Sequence, residues 1–283
     1  MGSPVRYGVV VLGGGAAGLM CAIEAGRRGR SVAVLERNDA VGKKILISGG
    51  GRCNFTNIFA EPEHYYSQNP NFCRSAMAAY PPSEFIALVE AHGIAYHEKK
   101  LGQLFCDGPA QQIVDMLLVE CRRSNVDVVL NCTIGAVTRD DAFRIETNQG
   151  TIASESLVVA TGGLSIPQLG ASGLGYEIAG QFGLPRVTCR PGLVPFTFAK
   201  QDLGFFQSLS GVSLEVTVRC GSEAFSENLL FTHRGLSGPA ILQISNTWQP
   251  GQAIAIDLFP SASMREVIHG TRRDARELVS VLA

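Results

Sequence analysis

Three glycine clusters carry the chemistry most readily read from this chain. In GGGAAG, Gly13, Gly15 and Gly18 stand at G-x-G-x-x-G spacing, with Ala16 and Ala17 between the last two. That spacing suits a dinucleotide diphosphate. The first glycine permits a tight turn, the second lets backbone approach the phosphates, and the third allows a helix to pack closely on a strand. Glu36 closes the next apolar run, with Arg37 beside it. A carboxylate there can accept hydrogen bonds from ribose hydroxyls and disfavours a 2′-phosphate, so the adenosine expected is that of FAD or NAD rather than NADP.

The second cluster lies in ISGGGRCNFTN, residues 47–57, just after Lys43 and Lys44. Glycines let a main chain run along an extended cofactor with its amides exposed, and nearby cations offset diphosphate charge. Ser48, Gly49, Gly50, Gly51, Arg52 and Asn54 are therefore expected to line a cofactor, together with Lys43 and Lys44. The third cluster is Thr161, Gly162 and Gly163, at the end of the apolar run ESLVVATGG. An apolar strand ending in two glycines is also a common structural feature.

Two residues are candidates for proton chemistry. His233, in LFTHRGLSGP, can serve as a donor or acid beside a glycine-rich loop, or can tie down a β-turn by bonding to backbone. Cys53 adjoins Arg52, whose charge would favour a thiolate; the plain alternative is a small cysteine that packs. The pattern suggests no metal site, because the eight cysteines include no C-x-x-C pair.

These residues need elements to hold them. VRYGVVVL, the small-residue segment after GGG, and SVAVLE read as a βαβ unit. PSEFIALVEAHG and PAQQIVDMLLVECRRS have helical spacing, VDVVLN reads as a third buried strand, and AVTRDDAFRIETNQGTIASESLVVA as a β-meander. The fold class expected is α/β. A Rossmann-like domain with a helical insertion and a meander covers 1–190, a β-barrel-like substrate domain 191–260, and the start of a helical domain 261–283. GASGLG at 170–175 lacks an abutting strand and an acidic ribose partner, so no second dinucleotide domain is inferred.

The bulk properties exclude some functions. The 283 residues carry 24 Lys plus Arg against 25 Asp plus Glu, so no global field draws in nucleic acid or an anionic membrane. No run approaches the roughly 20 apolar residues of a membrane helix. A reducing cytosol is the expected setting.

GGGAAGLMCAIEAG, GKKILISGGGRCNFTN, TGGLSIPQLGASGLGYEIA, PGLVPF and LLFTHRGLSGPAILQIS together resemble the BaiN/YhiN (RdsA) group of FAD-dependent oxidoreductases. The resemblance spans nearly the whole chain. It implies a glutathione-reductase-like FAD domain, an inserted β-rich domain and a helical domain. The implied reaction is reduction of a conjugated C=C bond, in a steroid-like enone or in uracil of ribosomal RNA, with NAD(P)H visiting as electron donor. Members of the group continue beyond the equivalent of ARELVSVLA, so this chain is expected to be truncated at Ala283. That leaves three readings: an active flavin reductase, a catalytically silent FAD- or ADP-binding protein, and a simple NAD-linked dehydrogenase.

Overall fold

Residues 4–260 are described by the computed structural model; the helix expected within 261–283 lies outside them. The valine-rich run Val5–Leu12 forms strand β1, with Val10, Val11 and Leu12 completely buried. β-Branched side chains suit a strand covered on both faces. Gly13 ends the strand at φ +108°, a region that L side chains rarely adopt, and a Cβ there would stand 2.5 Å from the Ala160 carbonyl oxygen. The turn leads into helix α1 (Ala16–Arg27) and then β2 (Val32–Leu35), wholly buried and parallel to β1. The βαβ unit is thus formed as the sequence predicts.

The chain then leaves this sheet. Helix α2 (Lys43–Ile47) runs into a 3-10 turn at Ser48–Gly51 and strand β3 (Asn54–Asn57), followed by α3 (Arg74–Ala79), α4 (Pro82–Ala91), β4 (Tyr96–Glu98) and β5 (Gln103–Cys106). The three short strands form a separate antiparallel sheet in the order β3-β5-β4. Helix α5 (Gln111–Arg123) returns the chain to β6 (Val126–Val129), which pairs with β2. A meander of β7 (Ile134–Arg139), β8 (Phe143–Thr147) and β9 (Gly150–Val159) follows, and β9 pairs in parallel with β1. The resulting order is β6-β2-β1-β9-β8-β7, with α6 (Leu174–Gln181) after it.

Strand periodicity divides the core of this sheet. Val11 and Val34 face α1 and α5 through Leu19, Ile23, Ile113 and Leu117, whereas Val10, Leu12 and Leu35 join Ile145 and Ile178 on the opposite face. Between the helices, Glu120 of α5 is buried and accepts from Arg27 Nη2 at 2.6 Å and Arg123 Nη1 at 2.8 Å, and bonds His92 Nε2 at 2.9 Å. Burial pushes this carboxyl up, but the hydrogen bonds from Arg27, His92 and Arg123 prevail and hold it below its ordinary value.

Residues up to Val187 form one compact unit and those from Thr188 another. The second contains β10 (Phe196–Thr197), α7 (Lys200–Phe206), β11 (Ser213–Cys220), β12 (Glu223–Thr232), β13 (Gly235–Ser237), α8 (Pro239–Ile244) and β14 (Ala255–Asp257). Its strands form an antiparallel sheet in the order β10-β13-β12-β11-β14. Val216, Val218 and Leu229 of the sheet pack with Ala240, Ile241 and Ile244 of α8 in a core of their own.

Candidate nucleotide site

The loop after β1 is fixed by hydrogen bonds on three sides. Gly13 N–H donates to the Leu35 carbonyl at 2.9 Å, Gly14 N–H to Glu36 Oε2 at 2.7 Å, and Gly42 N–H to the Gly14 carbonyl at 2.9 Å. Glu36 is 8% exposed, and its Oε1 accepts from Asn38 N–H at 2.8 Å and Asn38 Nδ2 at 2.7 Å. The carboxylate therefore organises two loops at once. Oε1 is saturated by these two bonds, whereas Oε2 accepts one and has a further lone-pair direction, which leaves acceptor capacity for a ligand.

The next glycines differ in what surrounds them. A Cβ on Gly18 would meet the Gly13 carbonyl oxygen at a distance no folded chain allows, so α1 can lie against the turn only with glycine there. A Cβ on Gly15 would meet nothing within 4 Å. Gly15 opens instead onto a cavity of about 540 Å³ at the start of α1. No side chain caps this helix and its first turn contains no acidic residue, so its first amides and the positive end of its dipole face the cavity uncompensated. Such a helix start accepts phosphate.

Of the residues singled out from the sequence, Gly13, Gly15, Ala16, Ala17, Glu36, Arg37, Lys43, Lys44, Thr161 and Gly162 line this one cavity. Lys43 Nζ lies 2.8 Å from Asp39 Oδ1, and Lys44 Nζ donates to Ser165 Oγ at 3.0 Å. These are a partly exposed ion pair and a bond to a neutral hydroxyl, contacts of small net strength that a phosphate can replace.

Other expected residues are not brought to the cavity wall. Gly18 has the packing role just described, and Gly163 lies outside the lining. Ser48, Gly49, Gly50, Gly51, Arg52 and Asn54 also stand beyond it, because the backbone of this stretch is tied to β5 and the start of α5. The Gly51 carbonyl accepts from Ala110 N–H at 2.7 Å and the Arg52 carbonyl from Cys106 N–H at 2.9 Å, while Arg52 Nη1 donates to the Asp107 carbonyl at 2.7 Å.

The reading of Cys53 as a thiolate acid is corrected. Its side chain lies in the core and burial pushes the thiol up, against a smaller lowering effect of a hydrogen bond with Ser48. The Arg52 guanidinium is engaged with a carbonyl oxygen, not with the sulfur. His233 is exposed on the two-residue turn between β12 and β13. The turn is tied by its neighbour: Thr232 Oγ1 accepts from Arg234 N–H at 3.3 Å and Gly235 N–H at 3.1 Å, and donates to the Gly235 carbonyl at 3.0 Å.

Asn38, the segment Cys132–Ile134, and Leu169, Gly170, Ala171, Ser172 and Leu174 also line the cavity. Sequence reasoning missed them. Cys132–Ile134 carry no motif, and the glycine spacing of GASGLG bears on a second nucleotide site, whereas its first residues complete the wall of the first one. A Cβ on Gly170 would lie 3.3 Å from the Asn38 amide, which shows how closely that wall approaches the loop after Glu36. Among the described residues, no group of three or more His, Cys, Asp or Glu side chains could hold a metal ion, and no helix is long and apolar enough to cross a membrane.

Comparison with known proteins agrees with this geometry. Residues 7–227 match the family model described as HI0933-like protein Rossmann domain, and residues 190–280 match HI0933-like protein barrel and H2TH domain. A protein of Escherichia coli (strain K12) named ribosomal RNA dihydrouridine synthase is 51% identical over 270 residues, which cover 94% of this chain and 67% of that one. A Haemophilus influenzae protein of the same name is 48% identical over 273 residues, covering 94% and 68%. The 3-dehydro-bile acid delta(4,6)-reductase of Clostridium scindens is 26% identical over 272 residues, covering 91% and 66%. The chain thus spans about two thirds of the length of these relatives.

Proposed function

Because the chain belongs to the HI0933-like family of flavin-dependent oxidoreductases, we propose that its first unit holds FAD by the adenosine diphosphate end and that it reduces the ring C=C bond of uracil in ribosomal RNA. The observation that carries the cofactor reading is the uncapped start of α1, with Gly15 open to the cavity and Glu36 beside it. Gly15 and the first amides of α1 would take the diphosphate, Lys43 and Lys44 would offset its charge, and Glu36 would accept from the ribose. FAD, when bound, supplies hydride transfer to a conjugated double bond.

The substrate reading rests on the relatives: those named for ribosomal RNA are 51% and 48% identical, against 26% for the bile acid reductase. NAD(P)H is the proposed electron source, visiting transiently. All eight cysteines are free, as a reducing cytosol leaves them. His233 is the proposed acid that protonates the reduced base, since its side chain is exposed and the turn does not use it as a tie.

The test begins with the visible spectrum of the purified chain, with and without FAD, followed by anaerobic NADH and NADPH. A bound flavin that bleaches, and ribosomal RNA whose uracil gains two hydrogens by mass, are the expected results. A protein that takes up no flavin overturns the cofactor reading. Return of the flavin colour when an enone is added to the bleached protein, with no change in RNA, overturns the substrate. His233→Ala is expected to lower product formation by about 10²-fold or more with flavin content unchanged, the usual scale for a general acid; unaltered turnover removes it from the mechanism.

A further inference from the structure

We propose that the second unit carries a separate binding site for a long-chain carboxylate, an apolar tail beneath one anionic headgroup. A cavity of about 900 Å³ lies wholly within residues 190–258 and shares no lining residue with the nucleotide cavity. Its walls are mainly aromatic and aliphatic. Phe198 stacks on Phe206 at 4.1 Å between ring centroids, and Phe196 meets Trp248 edge-on at 5.0 Å. Leu229 is fully buried and Leu236 nearly so at its base. Side chains that pack on one another in this way hold a preformed apolar volume, of the size and character that small-molecule sites have.

The polar groups in the lining narrow the ligand. Ser245 Oγ accepts from Val194 N–H at 3.0 Å and donates to the Leu242 carbonyl at 2.8 Å. Gln252 Oε1 accepts from Gln249 N–H at 2.8 Å, and its carbonyl accepts from Trp248 Nε1 at 2.8 Å. Ser245 Oγ and Gln252 Oε1 are thus engaged within the protein, and Thr197 is the remaining uncharged polar residue of the lining. Arg190, an exposed residue, is the one charged residue of the lining, and it makes no ion pair among the described residues. A guanidinium at the wall of an apolar volume is matched by a carboxylate whose remaining surface is hydrocarbon.

Trp248 is the single tryptophan of the chain, so intrinsic fluorescence reads this cavity directly. The experiment titrates the full chain with dodecanoate below its micelle concentration, and with dodecanol in parallel. Saturable change in Trp248 emission is expected for both, with dodecanoate binding about tenfold more tightly because of the charge-assisted bond. Arg190→Gln should bring dodecanoate to the level of dodecanol. Ile254→Phe, which adds volume inside the cavity, should weaken both, with its thermal transition checked to confirm folding. Absence of a saturable response overturns the proposal. So does an equal response in Ile254→Phe, which means surface association, or emission that is already blue-shifted and shielded from acrylamide, which means that the cavity is already filled. Equal affinity for dodecanoate and dodecanol overturns the assignment of Arg190 to the headgroup.

Discussion

Gly15 and Gly18 stand in opposite surroundings, one open and one closed to a side chain, and the difference is measurable. Gly18 faces the Gly13 carbonyl, so Gly18→Ala must push α1 away from the turn and is expected to cost about 1–3 kcal/mol, the range for overpacking. Gly15 has extended backbone at φ −83° with open space around it, so Gly15→Ala should leave the melting temperature unchanged. It should instead weaken FAD by about tenfold or more, or ~1.4 kcal/mol, by obstructing close approach of the diphosphate. Calorimetry and flavin titration on the two variants check this; equal loss of stability in both would remove the ligand-facing role of Gly15. The glycine spacing was legible in the sequence because each of its constraints acts within one turn of chain. The surroundings of Cys53 were not, because its neighbour in sequence, Arg52, reaches the Asp107 carbonyl while the thiol faces the core.

At the level of elements, Glu120 links α5 to α1 through Arg27 and to the end of α4 through His92. Its carboxyl titrates below the ordinary value in the folded chain, so its contribution to stability is complete above the unfolded value and is lost as pH falls through the folded one. The melting temperature should therefore drop as pH falls below 4.5, the ordinary glutamate value. Glu120→Gln should lower stability at neutral pH by about 1–3 kcal/mol and flatten that acid limb. Parallel acid-limb slopes for the variant and the parent would contradict this role. The helices joined here were readable from their apolar periodicity, as were the parallel strands β1, β2, β6 and β9 from their continuous apolar runs. The three-stranded sheet of β3, β4 and β5 was not, because strands of three or four residues offer too few alternations to register a period. The wall formed by Leu169–Ser172 was equally hidden, since only the return of β9 beside β1 brings that loop to the cavity.

For the whole molecule, the nucleotide cavity makes stability depend on ligand. FAD at about 100 times its dissociation constant should add ~2.7 kcal/mol by mass action, seen as a raised melting temperature. FMN, which lacks the adenosine half, should add none at the same concentration; equal stabilisation by both would place recognition at the ring instead of at Glu36 and α1. The bond from Gly42 N–H to the Gly14 carbonyl, with Glu36 holding Gly14 from the other side, keeps the phosphate loop in place through contacts internal to the protein. Flavin uptake then requires no slow rearrangement of that loop. In stopped-flow mixing, the observed rate should rise in proportion to FAD concentration without reaching a plateau, so the speed of maturation would be set by how often the cofactor and the newly folded chain meet.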